Sequence, residues 1–479
     1  MRHTATYSRR TFLAAAAMGL AGCQHWAGQK PGKRPNVLFI AVDDLRPQLG
    51  CYGRRTTLSP NIDRLAAEGC LFERTYCQVP VCGASRASLL TGLLPTRDRF
   101  VTWFARADSE AAGIPSLPRH LRDHGYYTVS NAKVFHAPDD SLDAWCERPW
   151  HPPMGSIYWR LEASRRLAEA NAPNRGPAFE AADEDDLCYP DGQIAEKAMS
   201  DLCRLGRQDQ PFFLAVGFYR PHLPFNAPKR YWDLYDRDEI DLADNPFRPK
   251  GAPDAAMHTW GELRQYTGIP QEGPLSEDTA RTLIHGYYAC VSYVDAQVGK
   301  LLDELERLGL REDTIVVLWG DHGWQLGEHG LWCKHCNFET ALHAPFIVRA
   351  PNSPGGIRTD ALTEYVDIYP TLTELCGLLL PNHLHGTSLV PLIHGRHVAG
   401  RQAAYSRYHN GDSLRTNQYR YTEWRDKNGE CYARMLYDHN RDPHENVNIA
   451  AYPANRELTD RLSAVLHEQM ARAGDAATT

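Results

Sequence analysis

A carboxylate pair and a carboxylate–histidine pair in this chain have the surroundings that chemistry requires. "NVLFIAVDD" ends in Asp43 and Asp44, and "DTIVVLWGDHG" ends in Asp321 and His322. Taken alone, either pair reads first as an N-cap or a turn. Together, at the ends of two apolar runs, they read as an oxygen-rich divalent-cation site. Such a cation holds and polarises a charged oxyanion. That substrate also needs cationic donors. The candidates are Arg86, Lys133 and His136 of "NAKVFHAP", His222 of "YRPHLPF" and Lys334 of "WCKHC". Singly, each is an ordinary surface or structural residue. Lys133, His222 and Lys334, however, all follow strand-like segments in loops. "CKHC" also has the look of a metal knuckle, but no second cysteine pair of suitable spacing accompanies it. Cys82, in "VCGASRASLLTG", reads locally as a buried hydrophobe, a disulfide partner or a nucleophile.

The elements that must position these residues follow from periodicity. "NVLFIAV" is a near-continuous apolar run, as a buried parallel strand should be. "SPNIDRLAAEG" has Ser59 as N-cap, Pro60 at the first helical position and Gly69 as a stop. "LPRHLRDHGYYTV" repeats the helix-then-strand order, as do "DGQIAEKAMSDLCRL" and "PFFLAVGFY". A long helix from about 277 to 308 feeds "DTIVVLWG", and "APFIVRA" and "VDIYPTLTELCG" close the pattern. This alternation predicts an α/β fold, a mostly parallel sheet sandwiched by helices. Ligands in such sheets collect beyond the carboxyl ends of the strands. After about residue 393, "AAYSRY", "SLRTNQYRYTEW" and "ARMLYD" are short, aromatic and alternating. They predict antiparallel strands, closed by the helix "NRELTDRLSAVLHEQMAR". The resulting domains are 35–393 and a smaller C-terminal α+β subdomain, 394–479.

The 479 residues suffice for one large and one small domain. A net charge of −7 argues against a nucleic-acid binder and leaves an anionic substrate open. "YSRRTFLAAAAMGLAGC" pairs Arg9 and Arg10 with an apolar run too short to span a bilayer. It reads as a twin-arginine signal peptide over 1–23, with Cys23 in a bacterial lipoprotein box and 24–34 as a tether. The expectation is an exported periplasmic or cell-envelope lipoprotein, meeting the membrane only through that lipid. Thirteen cysteines, an odd number, in a protein that folds before export argue against an extensive disulfide framework. Most of Cys51, Cys70, Cys77, Cys146, Cys188, Cys203, Cys290, Cys376 and Cys431 are expected as buried thiols.

"CGASR" followed by "ASLLTG" resembles the formylglycine signature of type I sulfatases. Segments in the same order as that family's are "NVLFIAVDDLRPQLGCYG", "NAKVFHAP", "RPHLPF", "DHGWQLGEHGLWCKH", "EYVDIYPTLTELCG", "HGTSLVPL" and "YDHNRDPHENVN". The resemblance covers roughly residues 34–450 and is nearest the iduronate-2-sulfatase-like branch. It implies an alkaline-phosphatase-like fold and hydrolysis of a carbohydrate sulfate ester. It also implies that a modifying enzyme oxidises Cys82 to Cα-formylglycine, whose hydrate offers one hydroxyl to attack sulfur and a second to expel sulfate. Ala84 stands where proline is commoner in the signature, and His322 where many sulfatases carry asparagine; the iduronate branch has histidine there. The family roles carried over place one Ca²⁺ on Asp43, Asp44, residue 82, Asp321 and His322. Arg86 braces residue 82, Lys133 and Lys334 neutralise sulfate, His136 is a base and His222 an acid, the two histidines being exchangeable. The implied substrate is a sulfated oligosaccharide attacked from its end at a 2-O-sulfated uronate, with an algal polymer such as ulvan as an alternative. A phosphate or phosphonate monoester hydrolase of the same superfamily is a second reading. A glycan-binding protein without turnover is a third. Loops 137–190 and 226–276 are expected at the pocket rim, with "DAWCERPWHPP" and Trp324 as flat surfaces for a sugar.

Overall fold

The computed structural model describes residues 34–153, 158–171, 175–396, 398 and 400–474. The signal, lipoprotein and tether expectations on residues 1–33, with Arg9, Arg10 and Cys23, lie outside the described residues. None of the described helices is long and apolar enough to cross a membrane.

Seven strands form the central sheet: β1 (Asn36–Val42), β2 (Cys70–Tyr76), β3 (Tyr127–Ala132), β4 (Phe212–Phe218), β5 (Thr314–Gly320), β6 (Phe346–Arg349) and β7 (Ile357–Glu364). Their order is β7-β2-β6-β5-β1-β4-β3. β6 pairs antiparallel with both β2 and β5, and the other neighbours are parallel. "APFIVRA" is therefore the one reversed strand in a sheet otherwise of the expected kind. β2 carries the adjacent, half-buried charges Glu73 and Arg74 within "CLFERTY", and β7 alternates exposed Arg358 and Asp360 in the first half of "IRTDALTE". The apolar-run criterion does not reach them.

β1 is buried along its whole length, so both faces must be apolar. Leu38, Ile40 and Val42 enter one core with the long helix α4 (Glu277–Arg307), and Val37, Phe39 and Ala41 enter the other. Shorter helices include α1 (Pro60–Glu68), α2 (Cys82–Thr91), α3 (Pro190–Leu205) and α5 (Ile368–Leu375). All ten residues of α2 are buried, and the helix begins at Cys82 itself rather than after it.

The C-terminal sheet is an antiparallel meander of β8 (Ala403–Tyr408), β9 (Gly411–Thr416), β10 (Tyr419–Arg425) and β11 (Cys431–Asp438). "SLRTNQYRYTEW" is two strands joined by a turn at Asn417–Gln418, not one. Helix α6 (Arg456–Ala473) lays Leu462, Leu466 and Met470 on Tyr405, Leu414 and Tyr421.

The cysteine expectation holds only in part. Cys70, Cys77, Cys290 and Cys376 are buried thiols; Cys51, Cys188, Cys203 and Cys431 are half-buried and Cys146 is exposed. The latter five sit at helix ends, turns and edges where a small residue need not be covered.

Candidate active site

β1 and β5 are adjacent and parallel, with Val42 opposite Gly320. Asp43 and Asp321 therefore leave the sheet side by side. The Asp321 amide donates to the Val42 carbonyl at 3.3 Å, and the Asp43 amide to the Phe218 carbonyl of β4 at 3.2 Å. Asp44 then turns into the left-handed region, φ 60°, a conformation that Asp tolerates better than most residues. Its amide donates to Asp321 Oδ1 at 2.9 Å. Lys133 follows β3 and approaches so closely that a Cβ at Gly217 would collide with its backbone. α2 places Cys82 and Arg86 four residues apart on one face.

The guanidinium of Arg86 is fully buried and donates to Asp321 Oδ2 at 2.9 Å and Asp43 Oδ1 at 3.0 Å. Its remaining bonds go to the carbonyls of Lys133 and Val134. Arg86 thus braces the carboxylates, not the Cys82 side chain as expected, because its planar fork matches two carboxylates. Lys133 Nζ pairs with Asp43, and Lys334 Nζ donates to Asp44 Oδ1 at 3.0 Å while lying over the Trp324 ring. Burial would raise the Asp43 carboxyl, but Lys133 and Arg86 hold it well below the ordinary range. At Asp44 burial outweighs Lys334, and the carboxyl is raised.

His322 Nδ1 lies 2.9 Å from the Gly323 carbonyl. That contact leaves Nε2 facing the cluster, 3.3 Å from Asp44 Oδ1 and 3.3 Å from Cys82 Sγ. Burial, then Asp43, push the Cys82 thiol well above its usual range, so as a thiol it stays protonated and a weak nucleophile. The ligand atoms of Asp43, Asp44, Cys82 and His222 lie within 4.8 Å of one another, as do those of Cys82, Asp321 and His322. Three carboxylates at zero exposure with one imidazole form a donor set that fits a hard divalent cation. "CKHC" contributes only Lys334 here; Cys333 and Cys336 are buried free thiols.

Beside the cluster is a cavity of about 190 Å³, lined by Asp43, Lys133, His136, His151, Arg220 and His222 among others. His136 Nδ1 and His151 Nε2 are buried without a hydrogen-bond partner among the described residues. Burial, then Lys133, draw His136 down to about 3, which keeps it neutral. The structure thus brings all ten sequence-derived site residues to one place. It adds Glu262, from the loop expected at the rim: its Oε1 is 3.0 Å from His222 Nε2, and its Oε2 is 3.0 Å from Lys334 Nζ. "TWGELRQ" carries no signal for it, since a single glutamate in a loop has no pattern.

Trp324 is buried at 1% exposure beneath Lys334, and Trp145 packs on Phe213, so neither is the expected sugar surface. The exposed aromatics near the site are Trp103 and Phe104. Trp103 meets the His136 ring edge-on at 5.9 Å, and a Cβ at Gly83 would collide with its carbonyl.

The family described as Sulfatase matches residues 35–378, and that described as N-sulphoglucosamine sulphohydrolase, C-terminal, matches residues 327–472. Human iduronate 2-sulfatase is 36% identical over 384 residues, 72% of this chain and 70% of its own length. A protein solved in complex with its substrate D-glucosamine-2-N,6-O-disulfate superposes with TM-score 0.70 at 22% identity, covering 92% of this chain and 99% of that one. The phosphonate monoester hydrolase of Silicibacter pomeroyi superposes with TM-score 0.75 at 22% identity, covering 93% and 97%. At those identities the two structures establish the shared fold.

Proposed function

The chain belongs to the sulfatase family, in its iduronate-2-sulfatase-like branch, and is a sulfuric ester hydrolase; we propose that it removes a 2-O-sulfate from the terminal uronate of a glycan. The observation that carries this reading is the convergence of Cys82, three buried carboxylates and two lysines beside a small cavity that Asp43 and Lys133 line. A cavity of about 190 Å³ suits one terminal sugar better than a chain passing through.

In this reading Cys82 is converted to Cα-formylglycine by a modifying enzyme, and Asp43, Asp44, Asp321, His322 and residue 82 hold one Ca²⁺. Those two groups supply a hydroxyl nucleophile and Lewis-acid polarisation of a sulfate oxygen. The rest is done by side chains of this chain. Arg86 locks Asp43 and Asp321 at fixed spacing. Lys133 and Lys334 face the sulfate oxygens, an electrostatic clamp in a water-poor site. By the resemblance to the family, His136 takes the role of base and His222 that of acid toward the leaving alcohol. The protein would be exported as a lipoprotein, on the strength of Arg9, Arg10 and Cys23.

Two measurements test this. A hydrazide that reacts with aldehydes should label residue 82 of the mature protein and not the Cys82→Ala variant, which should fold but release no sulfate. Sulfated disaccharides differing only in sulfate position should be offered beside the intact polysaccharide. Preference for a 6-O-sulfated hexosamine, or equal rates on internal and terminal sulfates, overturns the terminal-uronate assignment. The fold likeness to a phosphonate monoester hydrolase sets the alternative, tested by faster turnover of phosphonate monoesters than of any sulfate ester.

A further inference from the structure

We propose that His151 is a specificity-determining residue, donating from Nε2 to the carboxylate of the terminal uronate. This assigns the carboxylate subsite of the reading above and rests on that reading. The cavity of about 190 Å³ is bordered by the ion pair Asp43 and Lys133. Its other walls include His151, Tyr158 and Arg220, to which the mechanism gives no task. Among the described residues, Cys82 and Lys334 do not line it, so the sulfate, which must reach both, leaves this space to the sugar. The charges on its walls are Lys133 and Arg220 against Asp43 alone, and Asp43 is already taken up by Lys133 and Arg86. Asp191, the carboxylate paired with Arg220, stands 3.9 Å from Nε and does not line the cavity. Such a wall suits a second anion, and a carboxylate accepts hydrogen bonds without donating any.

The local sequence holds His151 in place. The Trp150 amide donates to the Ser130 carbonyl at 2.9 Å, and the Ala132 amide to the Trp150 carbonyl at 2.7 Å. "PWHPP" therefore runs parallel beside Asn131, at the free edge of the sheet, on the strand that delivers Lys133. Pro152 restricts the backbone of His151 further. His151 Nε2 is buried with no hydrogen-bond partner among the described residues. Burial lowers its imidazole, so it stays neutral and carries one N–H. His136, on the same cavity, has a second such nitrogen in Nδ1. Unpaired buried nitrogens destabilise the empty site, and the two oxygens of a carboxylate relieve that. Arg220 is fixed by the carbonyls of His222 and Pro224 and lies over the Tyr158 ring at 4.7 Å. It adds positive charge without having to move.

The test compares a 2-O-sulfated disaccharide with the same compound after reduction of its terminal carboxylate to a primary alcohol. Wild-type protein is expected to favour the uronate on the order of 10²-fold in kcat/KM, because a neutral hydroxyl answers these donors less well. His151→Ala should shrink that preference on the order of 10-fold, chiefly by raising KM for the uronate, the size of one hydrogen bond to a charged group. His151→Gln, whose amide nitrogen stands where Nε2 does, should keep most of the preference. Equal losses on both esters with His151→Ala overturn the proposal, since they give His151 a structural task; an unchanged preference overturns it too. A methyl uronoside and the matching methyl hexoside, added as inhibitors of the wild-type protein, give a reading that needs no variant. The uronoside should bind on the order of 10-fold more tightly, and equal inhibition overturns the subsite. Wild-type protein that hydrolyses neither ester but releases sulfate from a 6-O-sulfated hexosamine overturns the terminal-uronate reading itself.

Discussion

Among the described residues, two clusters of carboxylates and bases are put together differently. In the active-site cluster, Asp43, Asp44 and Asp321 converge with His322 and Cys82 beside a cavity. At the junction of the central and C-terminal sheets, Glu339, Glu445 and His439 also lie within ligand distance of one another. There every oxygen is spoken for. Glu339 takes Arg415 and Arg420 on one oxygen and the Tyr76 hydroxyl, at 2.7 Å, on the other. Glu445 takes Arg420 and His439 on one oxygen and the Glu339 amide, at 2.8 Å, on the other. Arginine forks saturate that cluster and leave nothing to bind with. In the active site Arg86 takes one oxygen each of Asp43 and Asp321, the Asp44 amide meets the other Asp321 oxygen, and Asp43 and Asp44 face the point charges of Lys133 and Lys334 on flexible stems. Similar residue types therefore yield a fastener in one place and a chemical site in the other.

The largest effect should come from the active-site cluster. Asp321→Asn is expected to lose bound divalent cation by elemental analysis and to lower sulfate release on the order of 10³-fold or more. Undiminished metal content would remove the cation site from the comparison. At the junction, Glu339→Ala strands Arg415 and Arg420 and should cost about 3–5 kcal/mol in denaturant unfolding, as breaking a buried pair does. Turnover by the folded fraction should stay near wild type; a large fall in kcat would mean that the fastener also does chemistry.

Acid separates the regions at the next level. Burial would raise the Glu423 carboxyl of β10, but hydrogen bonds from Tyr421 and Ser463 and the charge of Arg425 outweigh it and draw it to about 2. Because the folded value is depressed, its stabilisation is complete above the ordinary 4.5 and is lost as pH falls through 2. Glu423→Gln should lower stability by about 2 kcal/mol at neutral pH and flatten the dependence between those limits. An unchanged acid profile would show that the C-terminal sheet does not depend on this carboxylate. The smallest effect concerns surface. Trp103→Ala, at the site, should raise KM for an oligosaccharide about fivefold, the size of one ring contact. Tyr432→Ala, equally exposed on β11, should leave KM as it was. Equal KM for both variants would show that the aromatic pair at the site does not touch sugar.

The strand-end residues were legible because parallel-sheet physics makes them so. A strand buried on both faces must be a continuous apolar run, and a polar pair ending that run stands at the sheet's carboxyl edge. Asp43, Asp44, Asp321 and His322 follow from that rule, and Cys82 and Arg86 from the resemblance of "CGASR" to the formylglycine signature. The reversed direction of β6 was not legible, since an apolar strand has the same composition either way round. β2 was missed because the adjacent charges Glu73 and Arg74 break its apolar run, and β7 because its first half alternates with solvent. Which partner Arg86 takes, whether Trp324 faces sugar or core, and the arrival of Glu262 at His222 depend on contacts between residues far apart in the chain. Local pattern encodes which way a side chain faces relative to its own strand or helix. It does not encode which distant group meets it there, and in this protein those meetings separate the saturated cluster from the one beside the cavity.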